Sequence, residues 1–247
     1  MGSVKTNGAV LWSGPSLLDG APIVVIAIGL AAGSSNRKTG DMLQTYILRA
    51  DMLPQAAIDC GGDVSICGDC PHRGNRSQGV GRTCYVNIGQ GPTVVYKTYQ
   101  RGGYPVATDV AACGAGRIVR LGTYGDPAAV PVAVWDALVS NATAHTGYTH
   151  QWKAGKALQH LCMASADSSK EASIAHVAGW RTFRVAMPGH IDRLPSEAIC
   201  PASEEAGRKL TCDTCKACSG ANGRRGSIVI RAHGGTAVMA NVKRLAA

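Results

Sequence analysis

Short apolar runs alternate with helix-patterned segments along most of the chain, and that alternation restricts the possible folds more than any other feature. The runs "PIVVIAIG" (22–29), "MLQTYILR" (42–49), "RIVRLGT" (117–123), "TGYTHQW" (146–152), "HLCMAS" (160–165), "RTFRVAM" (181–187) and "SIVIRAH" (227–233) predict strands. "CYVNI" (84–88) reads as a further strand. Between them "LPQAAIDCG", "PTVVYKTYQRG" and "TAVMANVKRLA" read as helices. So do "PAAVPVAVWDALVSN", opened by Pro127, and "SSKEASIAHVAGW", capped by Ser168 or Ser169. The connections are short. This pattern predicts a single α/β domain over residues 1–247 with a mainly parallel sheet, built as a partial or complete (β/α) barrel with cysteine-rich metal-binding loops.

Sheets of that kind bind ligands beyond the carboxyl ends of their strands. The rule singles out Asp126 after the strand at 117, His150 after "GYT", and Asp167 after "LCMAS". Each has a candidate catalytic role as acid, base or nucleophile, and each aspartate also suits a helix cap. Arg184, the fourth candidate catalytic residue, and Arg181 lie in "RTFRV" and suit phosphate or carboxylate binding. Trp152 could stack on a base, whereas Trp135 and Trp180 read as core. The loop "SSNRKTGD" offers Ser35, Asn36 and Lys38 as an anion or cofactor cradle. It lacks the Walker spacing and reads equally well as a solvated turn.

Seven of the ten cysteines fall in two segments. In the N-terminal cysteine loop, 60–84, which opens at Cys60, the clustered ones are Cys67, Cys70 and Cys84, with His72 between. In 200–218 they are Cys200, Cys212, Cys215 and Cys218, spaced C-x11-C-x2-C-x2-C. Thiolates three residues apart turn round one metal centre. The second set suits either an iron–sulfur cluster or Zn²⁺. The first suits a three-cysteine cluster with one open iron, or a zinc site completed by His72. Cys60, Cys113 and Cys162 lie outside both sets.

Lysine and arginine number 25 against 16 acidic residues, a net charge of +9. That surplus suits a polyanionic partner, nucleic acid or a nucleotide first, or simply solubility. No run of basic residues localises it. "APIVVIAIGLAAG" is too short to span a membrane, and only Lys5 precedes it as charge for a secretory signal. A cytoplasmic location, in a bacterial host cell, is the expectation. In that compartment clustered thiols read as metal ligands rather than disulfides.

Several segments together resemble a family of small cysteine-rich proteins encoded by bacteriophages and prophages: "SSNRKTGDMLQTYILR", "ICGDCPHRG", "TCYVNIGQGP", "RLGTYGDPAAVP", "GYTHQW", "CMASADS", "GWRTFRV" and "CPASEEAG" with "CDTCKACSG". "TCYVN" and "GTYGDP" are more distantly similar to the phage gene-product-88 type proteins. The resemblance implies a phage setting. The three-plus-four cysteine layout is also similar to radical S-adenosylmethionine enzymes, although Cys67-x2-Cys70-x13-Cys84 replaces their C-x3-C-x2-C. The guanine- and deazaguanine-exchanging transglycosylases are a second likeness, with Asp126 and Asp167 in the place of their aspartates and the C-terminal cysteines in that of their zinc site. The leading expectation is a metalloenzyme that modifies nucleic acid or a nucleotide through an iron–sulfur centre, with S-adenosylmethionine as a possible cofactor. The alternatives are the zinc transglycosylase-like enzyme and a non-enzymatic zinc module binding DNA or protein.

Overall fold

In a computed structural model the run PIVVIAI forms β2 (Pro22–Ile28), wholly buried from Ile23 to Ala27. The structure describes residues 6–246 apart from 34, 35, 37, 188, 190, 209 and 222–224. An apolar strand of this kind must be covered on both faces and paired on both edges. β1 (Gly8–Pro15) and β3 (Leu43–Arg49) flank it, both antiparallel. β4 (Ile118–Tyr124) and β5 (Ala144–Thr146) then extend the sheet in parallel, giving the order β1-β2-β3-β4-β5.

A second five-stranded sheet is parallel throughout. It holds β6 (Tyr148–Thr149), β7 (Met163–Ala166), β8 (Thr182–Ala186), β9 (Glu197–Ile199) and β10 (Ser227–Arg231), with β10 between β8 and β9. Only Gly147 separates β5 from β6. There the chain leaves one sheet for the other, and a side chain would not fit: a Cβ would lie 2.7 Å from Cys162 Sγ. Gly147 N–H instead donates to the carbonyl of Cys218 at 3.1 Å.

α1 (Pro54–Cys60), α2 (Val64–Cys67) and α3 (Gly91–Gln100) pack against β3, and α4 (Val110–Gly114) against α5 (Val132–Val139). α6 (Ser169–Val177) covers β7 and β8, and its N-cap Ser168 accepts from Glu171 N–H at 3.1 Å. α7 (Cys212–Cys215) and α8 (Thr236–Ala246) flank β10 in the chain. Among the described residues no helix is long and apolar enough to cross a membrane.

Three sequence expectations are corrected. The sheet is not mainly parallel at its N-terminal end, because β1, β2 and β3 run antiparallel. Residues 84–88 form no strand, since the guanidinium of Arg82 takes the carbonyls of Cys84 and Val86 at 2.9 and 3.1 Å. The helix expected from Pro127 is split at Pro131, which has no N–H to continue it: a 3-10 turn, Pro127–Ala129, precedes α5.

Candidate metal centre

One cavity of about 600 Å³ brings the two cysteine segments together. Its wall is made by the parallel strands, with Gln44 and Tyr46 from β3, Arg120 and Tyr124 from β4, and Thr146 and Tyr148 from β5 and β6. Ser165, Phe183 and Ile230 continue it through β7, β8 and β10. Asp126, His150 and Asp167, each just past a strand end, line the same cavity, as do all seven clustered cysteines.

The first set is held by its own backbone. α2 ends at Cys67, and the preceding Ile66 carbonyl accepts from Asp126 N–H at 2.6 Å, fastening the segment to the end of β4. The His72 carbonyl accepts from both Thr83 and Cys84 N–H, at 3.0 and 2.8 Å, so the loop closes and returns Cys84 to the others. Asp63, buried, is paired with Arg73 at 2.9 Å and braces the same turn. Burial pushes the Cys67 thiol well up, and the neighbouring Cys70 and Cys84 push it further. Burial likewise raises Cys84, against the nearby Arg82.

The second set is stitched to distant parts of the chain. Cys200 N–H donates to the Val229 carbonyl of β10 at 2.8 Å, and Cys212 N–H to the Lys38 carbonyl at 3.0 Å. Arg181 donates to the carbonyls of Ala217, Gly220 and Gly226 at 2.7–2.8 Å, and Arg225 to those of Cys215 and Lys216 at 3.2 and 2.6 Å. Lys216 is left-handed, with φ +53°, an unfavourable conformation for a side-chain-bearing residue that turns the chain between Cys215 and Cys218. Burial pushes the Cys218 thiol up to about 12, with Cys200, Cys212 and Cys215 adding to it. Burial is also the first cause raising Cys200 and Cys212.

His72 turns its ring toward Asp167 and Thr83. Its Nε2 lies 2.7 Å from Asp167 Oδ1, and its Nδ1 lies 2.8 Å from Thr83 Oγ1. His150 Nε2 approaches Asp167 Oδ2 at 3.5 Å and Cys70 Sγ at 3.9 Å. The ligand atoms of His72, His150 and Asp167 all lie within 4.8 Å of one another. Among the described residues no three cysteine sulfurs do so. Burial disfavours the charged forms, yet the hydrogen bonds with Asp167 and Cys70 hold His150 well above the usual imidazole range. In turn the two histidines overcome burial and hold Asp167 well below the usual carboxylate range.

Asp126 is both cap and cavity residue. Its Oδ1 accepts from Ala128 N–H at 2.9 Å and its Oδ2 from His150 N–H at 2.8 Å, while burial raises its pKa against these bonds. Arg184 stands apart from the cavity: its guanidinium is buried against Glu197, at 2.7 and 2.6 Å. Arg181 is spent on carbonyls, and Trp152 is buried with its Nε1–H on the Ser165 carbonyl at 2.9 Å. Asn36 and Lys38 line the cavity near the second cysteine set, where Asn36 Oδ1 accepts from Lys38 N–H at 2.9 Å. Ser35 lies outside the described residues.

The sequence did not single out Arg120, Thr146 and Tyr148, all buried or half-buried on the cavity wall. One signal was present: a charge at Arg120 inside the otherwise apolar "IVRL". Comparison with known protein families, curated proteins and solved structures found no match.

Proposed function

We propose that the chain is an iron–sulfur metalloenzyme laid out like a radical S-adenosylmethionine enzyme, acting on a nucleotide or nucleic acid. The observation that carries this reading is the convergence of three cysteines and four cysteines, from opposite halves of the chain, on one cavity. The parallel strands β3, β4, β5/β6, β7, β8 and β10 supply its wall in chain order, which supports a partial barrel. The three-cysteine loop follows β3, the first of them.

Donor spacing supports a cluster over a single zinc at the cysteines. Four thiolates on one zinc, with bonds of about 2.3 Å, would sit about 3.8 Å apart. Among the described residues no three cysteine sulfurs lie within 4.8 Å of one another. In this reading Cys67, Cys70 and Cys84 hold a centre with one iron left open, and Cys200, Cys212, Cys215 and Cys218 close a second. Such a centre, when bound, supplies an electron and an open iron position for S-adenosylmethionine. His150 would hold a proton beside the cavity under the control of Asp167. Asp126 would orient His150 through its backbone N–H. Arg184 has no part in the chemistry.

A second reading has its own observation. His72, His150 and Asp167 are close enough for one zinc or iron ion, a two-histidine, one-carboxylate set with open positions. A metal there would make Asp167 a ligand and would favour a protein with one histidine-bound ion over the radical enzyme. Turnover separates the two. Protein purified without oxygen and reduced with dithionite is expected to cleave S-adenosylmethionine to methionine and 5′-deoxyadenosine. Iron-replete, reduced protein that leaves it intact, with and without oligonucleotide or nucleotide present, overturns the radical reading.

A further inference from the structure

Arg120 is a buried cation without a carboxylate. Only 8% exposed, it lines the cavity from β4, and among the described residues it forms no ion pair. Its Nη2 donates to Tyr85 Oη at 3.0 Å, and its guanidinium lies 5.5 Å from the centre of the Tyr148 ring. A guanidinium has five N–H donors, and burying one with most of them unspent is costly. Thr146 is its direct register partner on β5. That side chain is 1% exposed, lines the same cavity, and its Oγ1 has no hydrogen-bond partner among the described residues. Lys38 adds a second cation on the cavity wall: its carbonyl accepts from Cys212 N–H at 3.0 Å, and its Nζ lies 3.1 Å from His233 Nε2.

β4 gives the cavity a direction. Arg120 pairs with Thr146, whose neighbour Gly147 donates its N–H to the Cys218 carbonyl at 3.1 Å, while just past Tyr124 the Asp126 N–H donates to the carbonyl of Ile66, next to Cys67, at 2.6 Å. A bulge at Gly122 (φ +64°) separates Arg120 from Tyr124, steadied by Thr45 Oγ1, which donates to the Arg120 carbonyl and accepts from Gly122 N–H. The bulge shortens the strand: Arg120 and Tyr124 pair with Gln44 and Tyr46, two residues apart on β3, so they lie about 7 Å apart along the sheet.

From this we infer that Arg120, with Thr146 and Lys38, forms an oxyanion subsite that anchors the substrate on the side of the cavity next to the Cys212–Cys218 segment. The ligand class is a small molecule bearing a phosphate or carboxylate, the groups that a guanidinium and a hydroxyl bind together. The inference deepens the proposed function and takes from it only the assignment of the reacting end.

Equilibrium binding to the full chain, purified without oxygen and with its metal content measured in parallel, tests it. The probes are adenosine 5′-monophosphate against adenosine, and inorganic phosphate against acetate. A charge-assisted anchor predicts at least about a tenfold preference for the phosphorylated nucleoside. Arg120→Gln is expected to abolish that preference and Thr146→Val to weaken it, while Arg101→Gln, on the surface, leaves it intact. If acetate binding depends on Arg120 and phosphate binding does not, the subsite stands and takes a carboxylate. If folded Arg120→Gln and Thr146→Val proteins bind every probe like the parent, the inference fails and Arg120 only offsets the nearby thiolates. Binding is read without turnover, so an anchor in an iron-free protein would sink the cluster reading alone, and an iron-replete protein without an anchor would sink the subsite alone.

Discussion

Arg184→Ala is expected to lose about 3–5 kcal/mol of folding stability, because it leaves a buried carboxylate without its counter-charge. The Glu197 side chain is fully buried and that of Arg184 is 4% exposed. Glu197 accepts twice from the guanidinium and once from Leu194 N–H at 2.9 Å, and Arg184 also donates to the Asp192 carbonyl. The pair thereby ties β8 to β9 across β10 and fixes the approach to Cys200. Glu197→Ala should cost a similar amount by stranding the arginine. Joint replacement by Met and Leu should restore much of the loss, since an apolar pair removes both desolvation penalties. Denaturant unfolding of the four proteins measures this. Near-additive single losses, with no recovery in the double variant, would show that the ion pair is not the cause.

The second large effect concerns the metal. Cys84→Ala is expected to remove roughly half of the bound iron, that of the first centre, and to leave the second intact. Cys215→Ala should do the reverse. The selectivity follows from how each set is built. Cys84 is positioned by backbone bonds to His72 within its own loop, whereas Cys215 belongs to a segment held by Arg181, Arg225 and the Lys38 carbonyl. Iron and sulfide analysis of the two variants, beside a control at the isolated, buried Cys162, decides the matter. Equal loss of all iron from either variant would mean that one centre is shared by both segments.

The strands that carry the site were largely legible in the sequence. β2 and β10 are apolar runs bounded by glycine, proline or polar residues, and Ser168 followed by Glu171 marks the start of α6. β1 was not legible: GAVLWSGP mixes glycine, serine and proline with its apolar residues, and only its first four residues are buried. His72 carries a contact of a different kind. Its closeness to Cys70 along the chain suggests a shared metal, but the fold turns its ring to Asp167, a contact that no local spacing encodes. Asp126 and His150 could be singled out because strand ends are visible in sequence. Their mutual bond, and the separation of Arg184 from both, depend on the sheet order.

The most direct test of the account is the metal content and visible spectrum of the wild-type chain purified without oxygen. The account predicts brown protein with broad iron–sulfur absorption and about eight irons with matching sulfide per chain, bleached on reduction. Colourless protein carrying a single zinc, lost on replacing His72 or Asp167, would contradict it and move the chemistry to the histidine–aspartate set. Metal-free protein with every cysteine open to thiol reagents would contradict both.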